Sequence, residues 1–181
     1  MAKLVFDDIA EKALDIMHNQ SKHVFLTGKA WTGKSTLLKY FLQTSKKNMA
    51  VLAPTGVAAL NVGGVTIHSF FWFSTTVTLK KAKTKGRYEA GDPKFTELDT
   101  IVIDEISMVR ADMFDCMDVF LREVRESKEP FGGVQMIMIG DLYQLSPVVS
   151  SSEKDFFVKE YTSPYFFLPR LHKVKNLEWS L

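Results

Sequence analysis

Apolar residues fall in two rhythms along this chain. The first has helical spacing. Asp7 and Asp8 can open a helix in which Ile9, Ala13, Leu14 and Met17 share a face. A second helix is predicted from near Lys34, with Leu37, Leu38 and Phe41 inward. A long third is predicted over Met108–Glu126, with Met113, Met117, Phe120 and Leu121 packing inward. The other rhythm is a set of short apolar runs: HVFLTG (His23–Gly28), MAVLAP (Met49–Pro54), TIVIDE (Thr100–Glu105) and VQMIMIGD (Val134–Asp141). These lack polar alternation, which suits strands buried on both faces. Helices between them suit crossover connections. The expectation is an α/β fold with a mostly parallel sheet, whose ligands bind at the carboxyl ends of the strands.

Leu79–Asp99 breaks the pattern. It holds Lys80, Lys81, Lys83, Lys85 and Arg87, then Gly91, Asp92 and Pro93. The expectation is a solvated surface loop, with contact to nucleic-acid phosphates as the alternative.

Composition changes this picture little. At 181 residues the chain is long enough for one domain with a sizeable core, expected over 1–181. The formal net charge of +2 means that any polyanion-binding surface must be local. The single cysteine, Cys116, excludes an intrachain disulfide and reads as a small buried apolar residue. No run is long and apolar enough to cross a membrane. The N-terminus has no apolar signal region and is too acidic for a mitochondrial presequence. A cytoplasmic protein, bacterial or viral, is the simplest expectation.

Candidate chemistry sits after the apolar runs. GKAWTGKST follows the first and has the Gly28-x4-Gly33-Lys34-Ser35 pattern of a phosphate-binding loop between a strand and a helix. Backbone N–H groups in such a loop point inward at phosphates, and the following helix adds its positive end. Lys34 is expected to reach the β- and γ-phosphates, and the Ser35 hydroxyl to bind Mg²⁺. Trp31 stands in the middle of this turn. Its indole is expected to decorate the rim of a working site; a weakened site is the alternative. After the third run, Asp104 can hold Mg²⁺ through water and Glu105 can accept a proton from an attacking water. After the fourth, Gln144 in GDLYQLSPV is a neutral amide that can sense a γ-phosphate.

GKAWTGKST, APTGVAALNVGGVTIHSFF, IDEISMV, PFGGVQMIMIGD and GDLYQLSPV, in this order, resemble the first motor domain of Pif/RecD-type superfamily-one DNA helicases, the Pif branch above all. The likeness covers roughly residues 20–150, and the APTG…TIHSFF block is its most specific part. The resemblance implies a P-loop NTPase (RecA-like) three-layer sandwich and an ATP-driven 5′-to-3′ motor on single-stranded DNA. It implies ATP and Mg²⁺ as cofactors. The nucleotide set would be Gly28, Ala30, Trp31, Thr32, Gly33, Lys34, Ser35 and Thr36. Ser35 and Asp104 would hold the metal, and Lys34, Asp104, Glu105 and Gln144 would serve catalysis. Pro54, Thr55, Gly56, His68, Phe70, Pro147 and Val148 would lie along the DNA. Core packing is the competing reading for His68, Phe70 and Phe71.

The chain departs from the family's pattern in four places. Trp31 stands for the usual glycine, and Ser146 for a proline. FDDIAEKAL has no glutamine where the family reads adenine. The chain ends at HKVKNLEWSL, where the family continues into a second motor domain that supplies arginines to the γ-phosphate. The expectation is therefore a monomeric fragment that pairs with that domain, binds nucleotide and does not unwind DNA alone. A non-catalytic module that holds single-stranded DNA or a partner is the alternative from another class. A small-molecule kinase has no use for the APTG…TIHSFF block.

Overall fold

A computed structural model describes residues 6–28, 33–149, 157, 161 and 163–166, and the backbone of 177–180. Among the described residues six strands form one sheet: β1 (His23–Thr27), β2 (Met49–Ala53), β3 (Val65–Thr66), β4 (Thr100–Ile103), β5 (Gln135–Gly140) and β6 (Leu177–Ser180). Their order is β3-β2-β4-β5-β1-β6, and each neighbouring pair is parallel. The four predicted strands are β1, β2, β4 and β5, and the apolar end of the chain adds β6.

Neighbouring residues on a strand face opposite sides of a sheet, and both sides here are dry. Ile101, Ile103, Met136 and Met138 point into one core; Val102, Ile137 and Ile139 point into the other. Helices α1 (Asp8–Asn19) and α2 (Lys34–Thr44) cover the second core. The first core is covered by α4 (Ile67–Phe71), α5 (Leu79–Tyr88), α6 (Pro93–Thr96) and α7 (Ala111–Val124). Helix α3 (Gly56–Val62) follows β2 near the sheet edge. This is the three-layer sandwich that the resemblance implies.

Local signals explain the helix ends. Asp7 caps α1 by accepting from the Ala10 N–H at 2.8 Å. Thr55 and Thr66 cap α3 and α4 in the same way, at 3.2 and 3.1 Å.

Two expectations need correction. The helix over Met108–Glu126 is α7 alone, Ala111–Val124, preceded by a 3₁₀ turn at Ile106–Met108. Arg110 is extended, with φ −72° and ψ 148°, and its guanidinium binds the Asp112 carboxylate at 2.8 Å, so the chain turns a corner there. Leu79–Asp99 is not a loop. Thr78 caps α5 by accepting from Lys81 N–H at 3.3 Å, and Ala82 and Gly86, four apart, lie buried. Gly86 permits a close approach to α7, because a Cβ there would sit 2.7 Å from the Phe120 carbonyl oxygen. Asp92 and Pro93 then start α6.

Candidate nucleotide-binding cleft

Three segments far apart in sequence end at the same rim of the sheet. Chain leaving β1 enters the phosphate-loop pattern and then α2. Chain leaving β4 carries Asp104 and Glu105. Chain leaving β5 carries Asp141 and Gln144. Together Gly33, Lys34, Ser35, Thr36, Asp104, Glu105, Gly140, Asp141 and Gln144 line a cleft of about 440 Å³. A larger recess of about 680 Å³ lies at the amino ends of the strands, away from this chemistry. Its Lys47 ammonium is held by the carbonyls of Met17 and Gln20 and by Gln135 Oε1, which ties α1, β2 and β5 together.

Gly33 opens α2 at φ 87°, a left-handed conformation that glycine adopts without penalty. The first N–H groups of α2 receive no side-chain cap, so they remain suited to an anion. Lys34 folds back and donates to the Gly28 carbonyl, closing the described ends of the loop on each other. Residues 29–32 lie outside the described part of the chain. The expectations for Ala30, Trp31 and Thr32 therefore fall outside the described residues.

The two acids reach one cleft by a backbone device. Asp104 still extends the ladder, donating its N–H to the Leu52 carbonyl at 2.9 Å. Successive residues of a strand would point to opposite faces. Glu105 instead turns left-handed, at φ 53° and ψ 41°, and starts the 3₁₀ turn. For a residue with a Cβ this conformation costs about 1–2 kcal/mol. It keeps both carboxyls on the cleft. Burial pushes the Asp104 carboxyl above the ordinary range, opposed by the Glu105 backbone and by Lys34. Burial does the same to Glu105, helped by the charges of Asp104 and Asp141 and opposed by Lys34. Among the described residues the cleft thus concentrates acids around Lys34.

This composition fits a hard dication bound with phosphates. Oxygen donors are at hand in Ser35, Asp104 and Glu105, and a cation would relieve the crowding of acids. Among the described residues no three His, Cys, Asp or Glu side chains are grouped to hold a metal by themselves. Mg²⁺ rarely requires such a cage, because phosphates and water complete its shell.

Sequence reasoning alone misses Asp141. It is 6% exposed, its carboxylate accepts from Tyr143 N–H at 2.9 Å, and its carbonyl accepts from Gln144 N–H at 3.1 Å. It therefore shapes the turn that presents Gln144. Its one signal is the charge that ends the run MIMIGD. Ser107 is missed as well: it is 1% exposed and its hydroxyl has no partner among the described residues.

The residues expected along DNA lie outside this lining. Pro54 is half-buried, and Thr55 and Gly56 are exposed at the start of α3. His68 is half-buried on α4. Phe70 is half-buried against the first core, 5.0 Å from the Phe71 ring and 5.5 Å from Phe95, and Phe71 is wholly buried. Pro147 is buried, whereas Val148 is 80% exposed. Of that pair, Val148 is the one presented to solvent.

Known proteins share both sequence and architecture with this chain. The zebrafish (Danio rerio) ATP-dependent DNA helicase PIF1 is 42% identical over 138 residues, which is 75% of this chain and 22% of the zebrafish protein. The Saccharomyces cerevisiae PIF1 helicase is 38% identical over 136 residues, 70% of this chain and 16% of the yeast protein. The crystal structure of Pif1 helicase from Bacteroides in complex with ADP-AlF3 and ssDNA superposes with a TM-score of 0.81 at 36% identity, covering 98% of this chain and 42% of that one. Unliganded Bacteroides Pif1 gives a TM-score of 0.76 over 97% of this chain. The chain thus spans about a fifth of the length of these curated relatives. A match to PIF1-like helicase from residue 2 to residue 166 takes in the cleft and both helical layers that build it, and the chain belongs to the PIF1-like helicase family.

Proposed function

We propose that this chain is a single RecA-like ATPase domain, the first motor domain of a helicase that moves 5′ to 3′ along single-stranded DNA. The observation that carries this reading is the cleft, where a lysine and hydroxyl at a helix start meet two acids and an amide from two other strand ends. In this reading the loop and the start of α2 hold the nucleotide phosphates. Lys34 pairs with the β- and γ-phosphates. Ser35 and Asp104 hold Mg²⁺, which when bound offsets phosphate charge. Glu105 takes a proton from the attacking water, and Gln144 contacts the γ-phosphate. Thr55, Gly56, His68 and Val148 face the DNA.

Among the described residues lining the cleft, Lys34 is the cation. Phosphoryl transfer gathers negative charge on the transferred group, and an arginine supplied from outside such a site is worth about 10³–10⁵ in rate. A second motor domain closing on the cleft is the proposed source. The 181-residue chain alone is then expected to bind nucleotide, turn it over slowly and leave duplex DNA unopened.

The test is calorimetry with a non-hydrolysable Mg·ATP analogue on the chain, Trp31→Gly and Lys34→Ala. Equal binding by the first two and none by Lys34→Ala is the expected result. Binding by Trp31→Gly alone would mean that the indole closes the site. The reading as a DNA-holding module without catalysis would then replace this one.

A further inference from the structure

Helix α5 is a strongly charged surface that the nucleotide cleft leaves unused. Its ten residues include Lys80, Lys81, Lys83, Lys85 and Arg87, while its buried side is only Ala82 and Gly86. Part of this charge is neutralised. Lys83 and Arg87 reach Glu123 at 3.4 and 2.7 Å, and Lys85 reaches Glu89 at 3.9 Å. Lys80 and Lys81 are exposed, and the Lys81 ammonium donates to a neutral carbonyl, that of Thr76, at 3.3 Å. The outer face keeps a positive surplus.

An aromatic residue stands beside it. Trp72 follows α4, holds a left-handed φ of 51°, and is 46% exposed. The Lys94 ammonium lies 3.8 Å from its ring centroid and that of Lys85 lies 5.2 Å away. Lys94 also donates to the Phe70 carbonyl at 2.6 Å, which ties α6 to the end of α4. Cations of α5 and α6 thus converge on an exposed indole at the end of the helix that carries His68.

We propose that α5 and Trp72 form a second contact for single-stranded nucleic acid, continuing the strand path from α4 across the lysine face. This rests on the DNA-motor reading above. Lysines are point charges that follow a phosphate backbone without reading sequence. An exposed indole stacks on unpaired bases, which a duplex hides. The combination selects a single strand and is indifferent to its sequence.

The experiment is a fluorescence-anisotropy titration of a labelled oligothymidylate of about 20 nucleotides, a length beyond one typical strand-binding site, over a range of salt. It compares the chain with Lys80→Glu/Lys81→Glu, Trp72→Leu and Thr55→Ala, after parent-like circular dichroism and a cooperative unfolding transition have shown that each variant is folded. The lysine pair is expected to weaken binding about tenfold at low salt and to flatten the log-affinity against log-salt slope by about 1.4, at roughly 0.7 for each phosphate no longer neutralised. Trp72→Leu is expected to weaken binding about tenfold, within the range for one stacked base, with the slope unchanged. If Thr55→Ala weakens binding while both α5-face variants bind like the parent, this inference falls and the motor reading stands. If the parent chain binds no oligonucleotide, both fall. If a duplex of equal length binds as well and is equally sensitive to the variants, the single-strand assignment is wrong.

Discussion

Glu105 shows how one residue can be costly to the fold and yet be held at the cleft. Its backbone is left-handed, and the half-buried residue feels the charges of Asp104 and Asp141. Burial and those two charges raise its protonation range above that of an ordinary glutamate. Below the ordinary range, about pH 4, folded and unfolded chains both hold the proton and no penalty is felt. As pH rises through the raised folded-state range, the unfolded chain ionises freely and the folded chain ionises against its surroundings. The nucleotide-free protein therefore loses stability across that window. Glu105→Gln removes this residue's share of the loss. Urea-unfolding midpoints of the two proteins should coincide below about pH 4 and separate above it, with the variant the more stable. A gap that does not change with pH would show that Glu105 acts through packing and not through charge.

At the scale of elements, the helix that the sequence hides makes the informative test. Gly86 lies mid-helix in α5, where alanine would normally gain about 1 kcal/mol. Its missing Cβ would meet the Phe120 carbonyl at 2.7 Å and the Glu123 Cβ at 2.9 Å, and a carbonyl in α7 cannot swing aside as a side-chain tip can. Overpacking of this kind costs about 1–3 kcal/mol, so the clash outweighs the propensity. Gly86→Ala should lower the urea midpoint with an unchanged denaturant slope, while Thr84→Ala on the exposed side of α5 should leave it level or raise it. The same close approach explains why α5 looks like a loop in sequence. Large apolar side chains announce a helix through their spacing, as Met113, Met117 and Phe120 do in α7. Helix α5 packs through an alanine and a glycine, which carry almost no hydrophobic signal, and its lysines dominate the pattern. Strands β1, β2, β4 and β5 are legible because burial on both faces leaves uninterrupted apolar runs. Lys34, Ser35, Asp104, Glu105 and Gln144 are legible because each stands just past such a run or at the helix start that follows it. Asp141 stands in the same kind of place and escapes notice, since an acid next to a glycine reads as a turn. The burial of Pro147 has no sequence signal at all, because it depends on how a loop folds over the body of the domain.

For the whole molecule, the arrangement of the cleft makes nucleotide binding a test of cooperativity. Its lining comes from chain around residues 33–36, 104–105 and 139–144. These stretches leave strands that are not all neighbours: β5 lies between β1 and β4 in the sheet. A ligand that touches all three binds the folded sheet and has no equivalent site on the unfolded chain. Binding to the native state alone stabilises by RT ln(1 + [L]/Kd), about 2.7 kcal/mol at a hundredfold excess over Kd. For a chain of this size each kcal/mol moves the melting temperature by roughly 2–4 °C. A saturating Mg·ATP analogue should therefore raise the melting temperature by roughly 5–10 °C. Lys34→Ala should melt near the parent without ligand and shift little with it, because it would give up the proposed contact with phosphate and keep its core. Gly86→Ala should melt lower and yet show the full ligand shift, because α5 packs on the first core, away from the cleft. Differential scanning fluorimetry of the three proteins, with and without the analogue, separates the two effects. If Gly86→Ala showed no ligand shift while remaining folded, the cleft and the α5 face would be coupled, and the domain would have to be treated as one responsive unit rather than a site carried on a passive frame.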